Sequence, residues 1–266
     1  MNWLAFDTST DTLSVAVARA GQVWSHDSPG GAQASTDGLP TVLRLMQEAQ
    51  LHWTDLTAIV MGRGPGAFTG LRTACSMAQG LAWGAGLKVL PIDTLLAVAE
   101  AAWYAHPEQA GRERVLVVMD ARMSQVYVGA YEKKSADTWH CVAPPALCSP
   151  HEVRAPDAWL GHAYGIAGNA HAVYAAQWPN ALSTVPVWHA LPSAQALVRL
   201  AAQAWAQGQA VPPEDALPLY VRDKVAQTTE ERWAERQTAD QHTVRQQTAV
   251  HQTAVQQTTA KQQGSR

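Results

Sequence analysis

The run Trp3-Leu-Ala-Phe6 leads directly into the polar segment Asp7-Thr-Ser-Thr-Asp-Thr12, after which apolar and small residues alternate from Leu13 to Ala18. Four consecutive residues of this kind are typical of a buried strand, and the alternation after the polar segment predicts a half-buried strand. The polar segment between them is a turn. We therefore expect the chain to begin with two neighbouring strands and to place Asp7 at the end of the first.

The same succession returns in the second half of the chain. Val115-Leu-Val-Val-Met119 is an apolar run, Asp120 follows it, and apolar residues alternate again from Val126 to Ala130. Asp120 therefore holds the place that Asp7 holds in the first copy. Internal similarity of this kind predicts two related α/β lobes that face each other across a cleft.

Length and composition agree with two lobes. The chain has 266 residues, of which 47% are hydrophobic, so a large core can form. Charged residues make up 15%, against about 25% in ordinary globular proteins. The net charge is −3, whereas a protein that binds nucleic acid by itself normally has an excess of basic residues. This balance argues against direct binding of RNA or DNA by this chain alone.

The sequence predicts a protein of a reducing compartment, which we expect to be the cytoplasm. The three cysteines, Cys75, Cys141 and Cys148, form no C-x-x-C pair, so neither a disulfide framework nor a thiolate zinc site is expected. The residues before the first strand-like run contain neither a basic segment nor a long apolar one, so we expect no signal peptide. Runs of 18 or more apolar residues do not occur, and we expect no association with a membrane.

The composition changes abruptly near the end of the chain. The 40 residues from Gln227 to Arg266 contain 10 Gln and 8 Thr in a five-residue near-repeat that forms no continuous apolar face. This composition predicts a disordered tail. We accordingly expect an N-terminal lobe at 1–106, a C-terminal lobe at 107–226 whose helix at 193–207 packs back on the first lobe, and the tail at 227–266.

Helical spacing of apolar residues predicts two helices in the first lobe. The first helix is expected from about Asp37 to Gln50, after a loop at Ser28 to Gly38. The second follows a glycine-rich loop, and Gly84 or Gly86 can end it. A later helix is expected from the cap Ser193 to Trp205.

Two loops are candidates for contact with a phosphate group. The turn that starts at Asp7 offers hydroxyls and backbone amides at a strand end, and the alternative is an ordinary turn whose side chains bond to nearby amides. The loop Gly62 to Gly70 lies between a predicted strand and a predicted helix, where glycines allow close approach and a helix N-terminus favours an anion. It matches neither a Walker A loop nor G-x-G-x-x-G, and the alternative is a tight turn that packs the helix on the sheet. The candidate residues are Asp7, Thr8, Ser9, Gly62, Arg63, Gly64 and Gly66.

No metal or nucleophile site is predicted. The ten histidines are never closer than nine residues apart, so H-x-x-x-H pairs are absent, and no G-x-S-x-G elbow occurs. Cys75 falls on the apolar stripe of the second helix, and we interpret it as a core or interface residue.

Five segments together resemble the bacterial TsaB family. They are Trp3 to Thr10, Gly62 to Arg72, Gln79 to Ala82, Asp120 to Tyr127 and Pro218 to Arg222. The resemblance is close over the first half of the chain and looser near its end, and the Gln/Thr-rich tail lies outside it. The glycine loop with its trailing F-T-G-x-R is specific to TsaB and its catalytic relative TsaD.

The resemblance implies a fold and a function. The fold is the actin/Hsp70/sugar-kinase (ASKHA) fold of two duplicated α/β lobes. The function is that of a non-catalytic dimerisation subunit that activates TsaD, which forms threonylcarbamoyladenosine beside the anticodon of tRNAs that read codons beginning with A. The implied partners are TsaD and the ATPase TsaE, with a homodimer when the chain is alone and tRNA contacted only through the complex. The chain would have no intrinsic cofactor, and ATP or ADP would bind at the interface with partners.

The resemblance also separates the two relatives. TsaD holds a metal through an H-x-x-x-H pair on an early helix, and the comparable stretch here, Gln33 to Pro40, contains no histidine. In the family, the first two helices meet TsaD. The matching residues here are Leu39, Leu43, Met46, Leu71, Cys75, Ala78 and Ala82. The alternative for these residues is packing on the chain's own sheet.

One alternative function stays open on sequence alone. The duplicated strand-to-Asp turns could frame the cleft of an ATP-dependent phosphotransferase or ATPase of the same fold, with Asp7 and Asp120 on its two sides.

Overall fold

The computed structural model describes residues 1–106, 113–135 and 138–222, and residues Met1–Val221 form one compact unit. The Gln/Thr-rich tail predicted at 227–266 lies outside the described residues. Among the described residues, no helix is both long enough and apolar enough to cross a membrane.

The first half of the unit is a five-stranded sheet with three helices. β1 pairs antiparallel with β2, to which a short turn joins it, and parallel with β4, which the chain reaches only after β2, β3 and α1. The strand order is β3-β2-β1-β4-β5. The strands are β1 (Trp3–Asp7), β2 (Thr12–Arg19), β3 (Gln22–Pro29), β4 (Ala58–Gly64) and β5 (Val89–Asp93), and the helices are α1 (Ala34–Glu48), α2 (Phe68–Ala85) and α3 (Thr94–Ala105).

The second half repeats this plan. β6 pairs antiparallel with β7 and parallel with β9, and the strand order is β10-β9-β6-β7-β8. The strands are β6 (Arg114–Asp120), β7 (Val126–Ser135), β8 (Thr138–Cys148), β9 (Gly165–Ala167) and β10 (Val187–Trp188), and the helices are α4 (Ala170–Val173) and α5 (Ala194–Ala206). The shared order confirms the predicted fold class, a duplicated α/β architecture of the actin/Hsp70/sugar-kinase type.

The core has layers that follow from the alternation in the strands. Trp3 and Ala5 face a layer that holds α3 and α5, whereas Leu4 and Phe6 face α1 and α2 on the other side of the sheet. α3 contacts β6 and β7 of the second sheet, and α5 contacts β1 and β2 of the first. α3 also contacts β4 and β5, so it lies between the two sheets, and α5 packs on the first sheet and against α3. Burial of apolar surface in this layer is the main stabilising term of such a core.

The predicted ends of the later helices are confirmed. α2 stops at Gly86, which has a φ of 66°, a left-handed conformation that glycine adopts without a steric penalty. α5 begins after Ser193, whose hydroxyl accepts a hydrogen bond from the Ala196 amide at 3.2 Å. The side-chain cap satisfies one of the free amides of the first helical turn.

The predicted start of the first helix is wrong. α1 begins at Ala34 rather than at Asp37, although Gly38 and Pro40 lie inside its first two turns. Pro40 lies beyond the first turn and removes one backbone hydrogen bond of the helix, but α1 continues through it because its buried residues, among them Val42 and Leu45, pack on the sheet.

β8 is a long strand that the sequence did not predict. It contains Pro144 and Pro145, residues that a central strand excludes. β8 pairs only with β7 among the described strands, at the edge of the sheet, and its register shifts at several points along that ladder. An edge position with bulges accommodates the prolines.

A buried carboxylate ties the helical layer to the second sheet. Glu100 on α3 accepts hydrogen bonds from Lys133 Nζ on β7 at 2.9 Å, from Trp139 Nε1 on β8 at 2.7 Å and from Arg199 Nε on α5 at 2.7 Å. The Glu100 and Lys133 side chains are each only 7% exposed. Four elements are thus joined at one charged group that little water reaches.

Replacing Glu100 by Ala should lower the free energy of unfolding by about 3–5 kcal/mol, because it leaves the buried Lys133 charge without its partner. Urea denaturation of the full chain measures this. The control is Glu48→Ala, which breaks the exposed Arg44–Glu48 pair and should cost about 0.5 kcal/mol or less. Equal losses in the two variants would contradict a structural role for the Glu100 network.

Candidate functional site

Asp7 is enclosed at the end of β1. Asp7 is only 1% exposed. Its Oδ1 atom accepts one hydrogen bond from the Ser9 amide at 2.8 Å and another from the Ser9 hydroxyl. Its Oδ2 atom accepts the Thr94 hydroxyl at 3.4 Å. Burial raises the pKa of Asp7 above its usual value, and the hydrogen bonds from Ser9 and Thr94 oppose that rise. Protein donors therefore occupy both oxygens of this carboxylate.

Asp120 forms the same turn in the second half. Its Oδ1 atom accepts the backbone amide of Arg122, two residues ahead, at 2.8 Å, as Asp7 accepts that of Ser9. The Tyr174 hydroxyl donates to the same oxygen at 2.7 Å. The equivalence of Asp7 and Asp120 predicted from the sequence is confirmed, and both aspartates act as turn formers.

The glycine loop wraps closely around the first turn. A Cβ atom on Gly62 would come within 1.8 Å of Asp7 Oδ2, and one on Gly70 within 1.8 Å of the Thr8 carbonyl oxygen. The Thr8 hydroxyl donates to the Gly70 carbonyl at 2.6 Å, and the Ala67 amide donates to the Ser9 carbonyl at 2.7 Å. The turn thus occupies the concave side of the loop, which is the packing alternative considered for these glycines.

Arg63 leaves this cluster altogether. Its Nε atom donates to Asp93 Oδ1 at 2.6 Å, and its carbonyl accepts the Leu219 amide at 2.7 Å. Gly64 lies beside it, with its amide donating to the Thr94 hydroxyl at 3.0 Å. The guanidinium faces a separate cavity and does not join the other predicted phosphate contacts.

A small cleft lies between the two aspartate turns. Its volume is about 120 Å³, whereas typical ligand pockets have volumes of about 300 Å³ or more. Arg122 Nη2 reaches Asp11 Oδ2 at 2.9 Å, so the turns of the two halves are joined by an ion pair beside this cleft. The predicted residues that line the cleft are Ser9 and Gly66. Asp7, Thr8, Gly62 and Gly64 lie outside its lining.

Arg122 and Asn169 line the cleft and were not among the predicted site residues. Asn169 Oδ1 accepts the Asp120 amide at 2.8 Å. Arg122, Met123 and Ser124 have φ values of 62°, 54° and 54°, three consecutive left-handed residues without a glycine. The position of Arg122 directly after the Asp120 turn was the sequence signal for it, whereas nothing near Asn169 indicated its role.

Among the described residues, no group of three or more His, Cys, Asp or Glu is placed to hold a metal ion.

The residues predicted to meet a partner divide between the surface and the core. Leu39 and Leu43 are 47% and 49% exposed on α1. The other five are buried in the core of the first half, and the assignment of their side chains to a surface contact is wrong: Met46, Leu71, Cys75, Ala78 and Ala82. They form the inward stripe of each helix because that stripe covers the chain's own sheet.

The outward face of α2 carries different residues. Ser76 and Gly80 are exposed on it, and Trp83 is 70% exposed. Gly38 of α1 faces Met77 of α2, where an added Cβ would meet the methionine sulfur at 2.8 Å. The two helices therefore lie side by side, with Leu39 and Leu43 exposed on α1 and Ser76, Gly80 and Trp83 exposed on α2.

Comparison with known proteins shows that the chain is similar to one protein family over most of its length. The family model described as "TsaD: tRNA N6-adenosine threonylcarbamoyltransferase" matches residues 31–229. The tRNA threonylcarbamoyladenosine biosynthesis protein TsaB of Escherichia coli is 33% identical over 231 residues, covering 85% of this chain and 96% of that protein. The protein of the same name from Haemophilus influenzae is 32% identical, covering 84% of this chain and 94% of that protein.

A solved structure agrees with the sequence relatives. YeaZ from Pseudomonas aeruginosa superimposes with a TM-score of 0.74 at 35% identity, covering 82% of this chain and 99% of that one. The similarity extends over nearly the whole length of these proteins.

We expect Gly70→Ala to destabilise the protein by at least about 1–3 kcal/mol, because its methyl group would overlap the Thr8 carbonyl oxygen. Gly80→Ala in the same helix is the control. It has open space around the new methyl group and should stabilise the chain by up to about 1 kcal/mol through helix propensity. Thermal and urea unfolding compare the two, and equal stability of the variants would contradict the close contact.

Asp7→Asn should stabilise the protein at pH 7, because Asn keeps the acceptor for Ser9 and removes a buried charge. The pKa of Asp7 in the folded protein lies above its ordinary value of 3.8, so the wild type loses stability as the pH rises from 3.8 through the folded-state pKa. The advantage of the variant should therefore disappear as the pH falls toward 3.8.

Urea denaturation at pH 7 and at about pH 4 tests this, with the exposed Asp27→Asn as control. A variant that is less stable than the wild type at both pH values would show that the charge on Asp7 is required for folding.

Proposed function

Because the chain belongs to the TsaB family, we propose that it takes part in forming threonylcarbamoyladenosine in tRNA as a non-catalytic subunit that activates TsaD. The relatives that share most of its length are named for this biosynthesis. The observation that carries the non-catalytic role is the enclosure of Asp7 by Ser9, Thr94 and the glycine loop.

A catalytic carboxylate must reach the reacting atoms, directly or through one water. Asp7 is 1% exposed, and its oxygens are occupied by Ser9 and Thr94. The Asp120 carboxylate holds its own turn and Tyr174. With a cleft of about 120 Å³ between them, this geometry favours a structural role over an ATP-dependent phosphotransferase or ATPase.

We further propose that the outer surface of α1 and α2 binds TsaD. Leu39 and Leu43 are four residues apart and share one face of α1, so a partner can bury both together. Ser76 and Gly80 have little side-chain bulk, which lets a partner helix approach α2 closely, and Trp83 adds a large apolar contact. The buried stripe of each helix supports this surface from beneath.

The same surface is proposed to form a homodimer when the chain is alone, which the TsaD complex would replace. TsaE would join the assembled pair. We propose that ATP or ADP binds only where partners complete a site, since the cleft within this chain is small. The net charge of −3 supports contact with tRNA through the complex only.

Leu43→Asp should weaken binding to TsaD of the same organism at least 30-fold, because it places a charge at the centre of an apolar contact. Isothermal titration calorimetry with purified TsaD measures the change. Leu160→Asp is the control, since Leu160 is also exposed but lies in the second half of the chain. Undiminished binding by the Leu43 variant would remove α1 from the interface.

Reconstitution distinguishes the proposed role from an enzymatic one. TsaD and TsaE should modify tRNA with the wild-type chain, poorly without it, and poorly with Leu43→Asp. Asp7→Asn should retain activity in the same assay. Magnesium-dependent ATP hydrolysis by the isolated chain that is lost in Asp7→Asn would establish the alternative function instead.

A further inference from the structure

A second, larger cavity lies on the far side of Arg63 from the cleft. Its volume is about 480 Å³, within the range of small-molecule sites, and it shares no lining residue with the cleft between the aspartate turns. It runs along β5, the edge strand of the first sheet, and is bounded by β8 and α5. Leu96 and Leu200 give it an apolar wall, and Arg63 and Asp93 give it a charged end.

The charged end has unused hydrogen-bonding capacity. Arg63 Nε and Asp93 Oδ1 are joined at 2.6 Å, with the two side chains 40% and 18% exposed. Among the described residues, the guanidinium Nη atoms of Arg63 and the Oδ2 atom of Asp93 have no hydrogen-bond partner. A bound molecule could therefore engage the donors of one residue and the acceptor of the other without breaking the ion pair.

A buried hydroxyl supplies the second observation. Tyr131 lines the same cavity and is fully buried, and its hydroxyl makes no hydrogen bond with the residues that the structure describes. Burial raises the pKa of Tyr131 well above its usual value, with a further rise from Asp93, so the group stays a neutral donor. An unpartnered buried hydroxyl costs about 1–3 kcal/mol, a cost that a polar group of a ligand can offset.

The charges decide which ligand fits. The positive charge of Arg63 and the negative charge of Asp93 sum to zero. A ligand with only a negative charge would be attracted by Arg63 and repelled by Asp93, and a ligand with only a positive charge would meet the reverse. A molecule that carries both charges on neighbouring atoms matches both. The apolar wall then accepts its aliphatic part.

We propose that this cavity binds a small zwitterion of the α-amino-acid class. Its carboxylate is held by the Nη atoms of Arg63 and its ammonium group by Oδ2 of Asp93. The side chain lies along Leu96 and Leu200, with the Tyr131 hydroxyl near the polar end. This site goes beyond the proposed subunit role and does not depend on it.

Isothermal titration calorimetry of the full chain with each of the twenty L-amino acids tests the proposal. At least one should bind, and its analogues lacking the ammonium or the carboxylate group should each bind at least 10-fold more weakly. Arg63→Gln and Asp93→Asn should each weaken binding at least 10-fold, and Tyr131→Phe about 5-fold, the loss expected for one neutral hydrogen bond. Glu48→Gln, which breaks the exposed Arg44 pair, should leave binding unchanged.

Three results would overturn the proposal. The first is no binding by any amino acid up to about 10 mM, where a complex with a Kd of about 1 mM would be largely formed. The second is an analogue with one charge removed that binds as tightly as the parent. The third is binding of adenosine, a neutral probe, at least as tight as that of every amino acid. Circular dichroism and urea unfolding confirm that each variant is folded, and since TsaD is absent from these titrations, their outcome is independent of assembly.

Discussion

The structure of the first half depends on a backbone contact that only glycine permits. Gly62 near the end of β4 and Gly70 at the start of α2 lie so close to the β1–β2 turn that a single added carbon would overlap Asp7 or the Thr8 carbonyl. This contact fixes where α2 begins and buries Asp7 at the same time. The buried stripe of α2 then meets the sheet, and the outer face of α2 stays exposed. The enclosure of the turn and the exposed helical surface are thus two consequences of one packing constraint.

The two halves are held together by a different kind of interaction. α3 lies between the two sheets and α5 packs against it, and Glu100 links both helices to β7 and β8 through Lys133, Trp139 and Arg199. Apolar burial alone would tolerate small shifts of the helices along the sheets, whereas three hydrogen bonds to one buried carboxylate define a single position. The shape of the cavity beside Arg63 depends on this arrangement, because α5 and β8 form part of the cavity wall.

Much of the fold was predictable because its signals are local. The period-2 alternation, the repeated Asp7 and Asp120 turns and the glycine loop each occupy a few consecutive residues. β8 was missed because its prolines are acceptable only at a sheet edge, which a sequence does not display. The direction of Arg63 was missed for a related reason: Asp93 attracts it from thirty residues away. The helical stripes were found, but which face meets the chain's own sheet is settled by tertiary packing, so buried residues such as Met46 were assigned to the partner.

The two halves differ in the helix that follows their glycine turns, and this difference is why the proposed docking surface belongs to the first half. In the second half, Gly168 repeats the close approach, since a Cβ there would lie 2.1 Å from the Val118 carbonyl oxygen. The helix that follows it, α4, spans only Ala170–Val173, whereas α2 spans Phe68–Ala85. The turn geometry is therefore common to both halves, but a helix long enough to offer several turns of outer surface follows only the first of them within the described residues. A partner that binds the exposed side of a long helix can therefore distinguish the two halves even though their sheets are alike.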